Sequence, residues 1–273
     1  MGFIMSVKYP LGSSPISETL HFSGPDNVEN FNSIKKIMPQ EWMWHNQKII
    51  YRFNSLGHRN NFELEDVDVS NMTAIVGCSH IEGTGVTENL TIPYFYEQLS
   101  GEKTYNLGQS GMDNQVIFFN ALWAYQQGFK KIIVSWTQPE RNSMLNHLGD
   151  PEIFRGPHVI PDLYYKYFTD DYTFDNPHWH HRISLYDKIL KGFGVNSFRY
   201  FSSGNEEHDR VWTDIFVNYK LGNNELSGLI KNVKTANDVF ARDIVHLGKN
   251  MFSAHYGPVP NQSIARDMIE NTK

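Results

Sequence analysis

Thr73-Ala-Ile-Val-Gly-Cys-Ser-His-Ile-Glu-Gly-Thr-Gly-Val86 is the stretch whose reading decides the fold. Its apolar start, Thr73 to Val76, reads as a buried strand. Gly77 turns the backbone, and Cys78 and Ser79 follow before a loop that holds Gly83 and Gly85. A serine at the carboxyl end of a strand, where the next loop or helix begins, sits where open α/β sheets place their chemistry. There its hydroxyl is presented to a ligand and its own N–H is free to bind an anion. Ser79 is the candidate nucleophile.

Strand and helix patterns alternate beyond this point. Leu90–Leu99 reads as a short helix interrupted early by Pro93, and Lys103–Leu107 as a second strand ending at Gly108 and Gly111. Asn114–Gln127 carries Val116, Phe119, Leu122 and Trp123 at helical spacing and stops at Gly128. Lys131–Trp136 is a third, almost wholly apolar strand. Such alternation predicts parallel strands with helices on both faces, a three-layer α/β/α sandwich. Residues 138–181, rich in proline, histidine and aromatic side chains, break the pattern and are expected to form an insertion or lid. A helix over Ile183–Gly192, a strand over Ser197–Ser202, a helix over Glu207–Tyr219 and a last helix from about Pro260 to Asn271 resume it. Upstream, residues 1–70 are polar and lack a period, although Trp42 and Trp44 lie within them. They are expected to be an N-terminal extension packed on a main domain of residues 71–273.

Composition narrows the classes of function. A formal net charge of −6 argues against a nucleic-acid phosphate backbone as partner. No apolar run is long enough to span a bilayer, and the N-terminus lacks the basic and apolar regions of a signal peptide, so a cytoplasmic or otherwise soluble protein without a membrane partner is expected. Cys78 is the one cysteine, which rules out a disulfide within the chain.

Gly77-Cys-Ser-His-Ile-Glu-Gly83 fits neither the dinucleotide fingerprint nor a P-loop, and Ile81 breaks the G-x-S-x-G elbow. It resembles block I of the SGNH (GDSL-like) hydrolases, with Cys78 in place of the usual aspartate. Tyr105-Asn-Leu-Gly-Gln-Ser-Gly-Met-Asp-Asn114 resembles block II, and Asn54-Ser-Leu-Gly-His-Arg59 resembles the N-S-L-G-x-R stretch that often precedes block I. The resemblance covers roughly residues 51–136 and the C-terminus. It implies a flavodoxin-like sheet and ester hydrolysis through an acyl-enzyme on Ser79, with no metal or organic cofactor. Gly111 maps onto the glycine whose N–H serves the oxyanion. The usual G-x-N-D of block III is replaced by Ser135-Trp-Thr-Gln-Pro-Glu-Arg141, where Thr137 can stand in for the asparagine because a hydroxyl also donates.

The family's D-x-x-H has two candidates here. Asp243-Ile-Val-His246 has the literal spacing. His255 instead has the run into the final helix, but Phe252 occupies the aspartate position. His255 is favoured, with Asp243 able to serve either histidine if residues 244–254 form an inserted loop. The remaining features have plainer readings beside functional ones. Cys78 is expected behind the serine as a small buried residue, and His80 in a supporting or solvent-facing place. His178-Trp-His-His181 lacks the spacing of a metal site. Trp136, Trp179 and Tyr164-Tyr165-Lys-Tyr167 can stack on sugar rings or simply pack. The expected substrate is a small-molecule or carbohydrate ester, an O-acetyl group being favoured. The alternatives are a degenerate domain that binds a glycan or a protein, and an O-acyltransferase.

Overall fold

Four of the segments with strand character come together as one parallel sheet. The computed structural model describes residues 18–24, 26–137, 142–145, 151–154, 177–199, 233–246, 252–253 and 255–272. An N-terminal part contains β1 (Glu18–Leu20), α1 (Val28–Lys35) and β2 (Tyr51–Phe53), with β1 and β2 antiparallel. The main sheet contains β3 (Met72–Gly77), β4 (Lys103–Gly108) and β5 (Lys131–Trp136). Between them run α2 (Ser79–Glu82), α3 (Ile92–Ser100) and α4 (Asn114–Gln127). A hairpin of β6 (Asn142–Leu145) and β7 (Pro151–Phe154) follows, then α5 (Pro177–Gly192) and β8 (Asn196–Arg199). The C-terminal part is α6 (Val233–Val239), β9 (Val245–His246), β10 (Phe252–Ser253) and α7 (Pro258–Asn271). Among the described residues no helix is long and apolar enough to cross a membrane.

The sheet order is β4-β3-β5-β8, all parallel. Counting these strands along the chain gives the spatial order 2-1-3-4, the flavodoxin-like arrangement with its reversal between the first and third strands. Both faces are covered, which is why the central strands read as unbroken apolar runs. Ala74, Val76, Tyr105, Leu107, Ile132 and Val134 face one side, against Val116, Ile117 and Ala121 of α4 and Ile183 and Leu190 of α5. Ile75 and Ile133 face the other, against Ile92 and Tyr96 of α3 and Ile264, Ala265 and Met268 of α7. The result is a mixed α/β fold of three layers.

Two helix starts differ from the sequence expectation for one reason. Pro93 does not interrupt α3 but sits in its first turn, where a missing N–H costs nothing, and the Thr91 hydroxyl caps the helix by accepting the Tyr94 N–H. Likewise α5 begins at Pro177 rather than Ile183, so His178–His181 form its opening turn. The expected helix over Glu207–Tyr219 lies outside the described residues, as do Tyr164-Tyr165-Lys-Tyr167 and much of the 138–181 insertion.

Trp42, Trp44 and Tyr51, in the stretch without a period, are fully buried with Ile34, Ile49, Val86, Ala236, Ala241 and Ile244. The N-terminal segment thus shares a core with the C-terminal part. It also finishes the sheet edge. The outward N–H groups of β4 are taken by side chains: that of Thr104 by Glu97 at 3.0 Å, that of Asn106 by Asn60 at 3.0 Å, and that of Gly108 by Asn106 at 2.9 Å. Asn60 also donates its amide to the Asn106 carbonyl at 3.0 Å, so one side chain imitates a neighbouring strand.

Candidate active site

The register brings three loops to one level. Gly77 pairs with Gly108, and Val76 with both Leu107 and Val134, so Ser79, Ser110 and Thr137 leave the carboxyl edge of adjacent strands side by side. Two contacts fix the middle loop to the first. Gln109 donates its N–H to the Gly77 carbonyl at 3.1 Å, and Ser110 donates its N–H to the Glu82 carboxylate. Gly111 follows directly. The approach of β4 to α2 is close enough that a Cβ on Gly108 would lie 2.1 Å from the Glu82 nitrogen.

Ser79 is the first residue of α2, so its N–H has no acceptor within the helix. Its Oγ lies 2.7 Å from Nε2 of His255. On the far side of the same ring, Nδ1 lies 2.5 Å from Oδ2 of Asp243, and the His255 backbone N–H donates to Oδ1 of Asp243 at 3.0 Å. With Nδ1 carrying the proton toward Asp243, Nε2 is left to accept from the serine hydroxyl. Asp243 is buried and His255 partly exposed, so the imidazole lies at the boundary between carboxylate and solvent.

The pairing explains how the aspartate stands twelve residues before its histidine. Between them β9 and β10 pair antiparallel, Val245 with Ser253 and His246 with Phe252, which brings the chain after Asp243 back beside the chain before His255. The literal Asp243-x-x-His246 spacing is not what the fold brings together. His246 lies in β9 opposite Phe252, and the Asp243 carboxylate is held by His255.

Other sequence candidates fall into place. Cys78 is buried, only 1% exposed, directly behind the serine. His80 packs its ring 4.6 Å from those of His255 and Tyr256. Thr137 is buried beside the site. Its N–H donates to Asn114 at 2.8 Å and its carbonyl accepts from the same amide at 3.2 Å, while its hydroxyl has no partner among the described residues. Trp136 is not available to a sugar ring. It is only 2% exposed and packs against Tyr186, because β5 carries it inward onto the α4–α5 face. Among the described residues no three His, Cys, Asp or Glu side chains group as a metal site.

No family model matches the sequence, and no curated protein matches it. A search of solved structures returns, with a TM-score of 0.36 and 11% identity, a protein described as lipolytic and of the G-D-S-L family, from Desulfitobacterium hafniense DCB-2. The likeness covers 74% of this chain and 99% of that one, and it is too slight to bear on fold or activity.

Several residues that hold the site together were given no role by the sequence reading. Glu82, at the end of α2, is buried. Desolvation pushes its carboxyl up, against the opposing pull of the Arg59 charge, the Ser110 N–H and His255. Arg59, from the stretch before block I, donates to the carbonyls of Glu82, Gly83 and Val86 at 3.2, 2.5 and 2.8 Å, and its guanidinium lies 4.2 Å over the Tyr51 ring. Gly85, in that same loop, has φ +78° and packs so tightly that a Cβ would sit 2.8 Å from Oδ1 of Asp243. Only glycine suits both demands. A sequence signal existed for Arg59 in its motif, whereas Glu82 looks like any polar residue of a short helix.

Proposed function

We propose that this protein is a serine-dependent carboxylic ester hydrolase that works through an acyl-enzyme on Ser79. The observation that carries the reading is the unbroken hydrogen-bonded line from Ser79 through His255 to Asp243, at 2.7 and 2.5 Å. Nucleophile and base lie within bonding reach, and a buried carboxylate orients the base, which is the arrangement nucleophilic catalysis requires.

Ser79 Oγ attacks the ester carbonyl carbon while its proton passes to Nε2 of His255. Asp243 holds Nδ1–H and stabilises the imidazolium that forms. The N–H groups of Ser79 and Gly111, with the Thr137 hydroxyl, bind the negative oxygen of the tetrahedral intermediate. As this collapses, the C–O bond to the alcohol breaks and His255 returns the proton to the departing oxygen. Water then repeats the sequence on the acyl-serine, its proton going to Nε2, and releases the acid. Cys78 takes no part as nucleophile, since its thiol is buried behind the serine. The substrate class assigned is an ester of a short acyl group, an O-acetyl ester of a carbohydrate being the first to assay.

The test is labelling by an alkyl fluorophosphonate, with Ser79→Ala and Cys78→Ala beside the unaltered protein. Labelling that disappears only in Ser79→Ala is the expected result. An unaltered, folded protein that takes up no label would overturn the proposal. Turnover of aryl acetates with added alcohol acceptors then separates hydrolysis from transfer.

A further inference from the structure

Arg242 and Asp243 are neighbours in sequence but engage different parts of the molecule. Asp243 binds His255, while Arg242 is buried, 4% exposed, against the N-terminal segment. Its Nε donates to Oδ1 of Asp26 at 3.0 Å and its Nη2 to Oδ2 at 2.5 Å, a two-point ion pair between residues 216 apart in the chain. Nη2 also donates to the His21 carbonyl at 2.6 Å, and the guanidinium lies 4.3 Å over the Phe22 ring. Asp26, 1% exposed, takes a third bond, from the Tyr51 hydroxyl at 2.6 Å. That hydroxyl in turn accepts the Gly85 N–H at 2.7 Å, and the Gly85 carbonyl accepts the Arg242 N–H at 2.7 Å. The circuit Asp26–Tyr51–Gly85–Arg242 is closed, and Gly85 packs against the Asp243 carboxylate.

A buried ion pair of this kind is a poor source of stability, because desolvation offsets much of its attraction. A buried pair that breaks is costly, however, and two-point geometry tolerates little movement. Both properties suit a device that fixes a position. From these contacts we propose that Asp26, Arg242 and Tyr51 are positioning residues for Asp243, so that the segment spanning residues 18–54 completes the acid arm of the catalytic site. The inference rests on the reading of Ser79, His255 and Asp243 as a triad.

The pair also adds two opposite charges behind the His255–Asp243 couple. Other titratable groups around that couple, among the described residues, are His80 and Glu82 of α2, with Arg59 beyond Glu82, Tyr256 against the His80 ring with Cys78 near it, and Tyr51 on Asp26 and Gly85. All of these except Tyr51 are present in every variant, although Arg59 also feels the Asp26 charge. Asp26→Asn leaves the Arg242 charge uncompensated, so His255 gives up its proton at lower pH. Arg242→Gln removes the positive charge, and His255 holds its proton to higher pH. Burial already raises the Asp26 carboxyl, so once Arg242 is gone Asp26 takes up a proton more readily, and the upward shift in Arg242→Gln is smaller than the downward shift in Asp26→Asn.

The experiment is the rate of fluorophosphonate labelling against pH for the full chain, alongside Asp26→Asn, Arg242→Gln, the double variant and Tyr51→Phe, with folding checked by near-ultraviolet circular dichroism. All four variants are expected to label more slowly, by about 100-fold where the acid moves by roughly 1 Å. The acid limb should shift down in Asp26→Asn, up in Arg242→Gln, and stay near its original place in the double variant and in Tyr51→Phe. A role in stability alone moves neither limb. Folded variants that label at the unaltered rate, or single variants whose limbs move together, would overturn the inference and leave the triad standing. If Asp26→Asn fails to fold, Arg242→Gln and Tyr51→Phe decide. An unaltered protein that takes no label removes the triad and this inference together.

Discussion

Gly108→Ala tests how finely the nucleophile is seated. A Cβ at this position would lie 2.1 Å from the Glu82 nitrogen, 2.5 Å from the Ile81 carbonyl carbon and 2.8 Å from the Glu82 Cα. All three are backbone atoms of α2, so no side chain can turn aside. Cβ contacts below 3.0 Å are essentially never seen, and α2 must therefore move from β4 by about 0.9 Å at the tightest atom. Ser79 opens the same four-residue helix and moves with it. Its bond to His255 is 2.7 Å now, and lengthening by that amount takes it out of hydrogen-bond range. A misplacement of this size costs roughly 100-fold in rate, and the overpacking about 1–3 kcal/mol in stability. The assay is the second-order rate of fluorophosphonate labelling, with a thermal melt on the same samples. Gly192→Ala is the companion variant. An added Cβ there meets nothing within 4 Å, so labelling should be unchanged and stability should rise by up to about 1 kcal/mol. Unaltered labelling by a folded Gly108→Ala protein would refute the link between β4 packing and serine placement.

Three further outcomes follow from the same geometry. Asp243→Asn should lower kcat on the order of 10⁴-fold, with KM little changed, because an amide no longer fixes the tautomer that leaves Nε2 free; aryl acetate kinetics check this. Thr137→Val should lower kcat on the order of 100-fold without loss of stability, since the hydroxyl has no partner among the described residues and the shape is kept; intact kcat would remove Thr137 from the oxyanion site. His58 is held neutral by burial, its pKa lowered to about 3 against 6.5 for an open histidine. The unfolded chain therefore binds the extra proton first, and stability falls by roughly 1.4 kcal/mol per unit as pH drops from about 6.5 toward 3. Urea unfolding of His58→Gln over that window should show a slope shallower by one proton.

Local periodicity made β3, β4, α4 and β5 legible, with α4 and β5 placed to the residue, since glycines mark their ends and apolar runs fill them. It misjudged Pro93 and Pro177 because proline breaks a helix interior but opens a first turn, and composition alone does not say which. Ser79, His255 and Asp243 were all among the sequence candidates. That Asp243 meets His255 goes with the β9–β10 pairing, which two-residue strands do not announce in sequence. Asp26 and Arg242 could not be read at all. Their bond joins positions 216 apart, and an arginine destined for burial looks the same in sequence as one bound for solvent. Trp136 had two readings, a ligand platform or simple packing, and alternation along β5 turned it into the core.

The side chains that cover the β4 edge govern how this protein behaves in company. An unfinished sheet margin recruits extended peptide from any neighbour, and aggregation often begins there. Here the outward donors at Thr104, Asn106 and Gly108 are already engaged by Glu97, Asn60 and Asn106, so an incoming strand would have to evict them one by one. The protection depends heavily on Asn60, which grips both the N–H and the carbonyl of Asn106. An Asn60→Ala protein at high concentration should grow turbid where the unaltered chain stays clear, well before its activity changes.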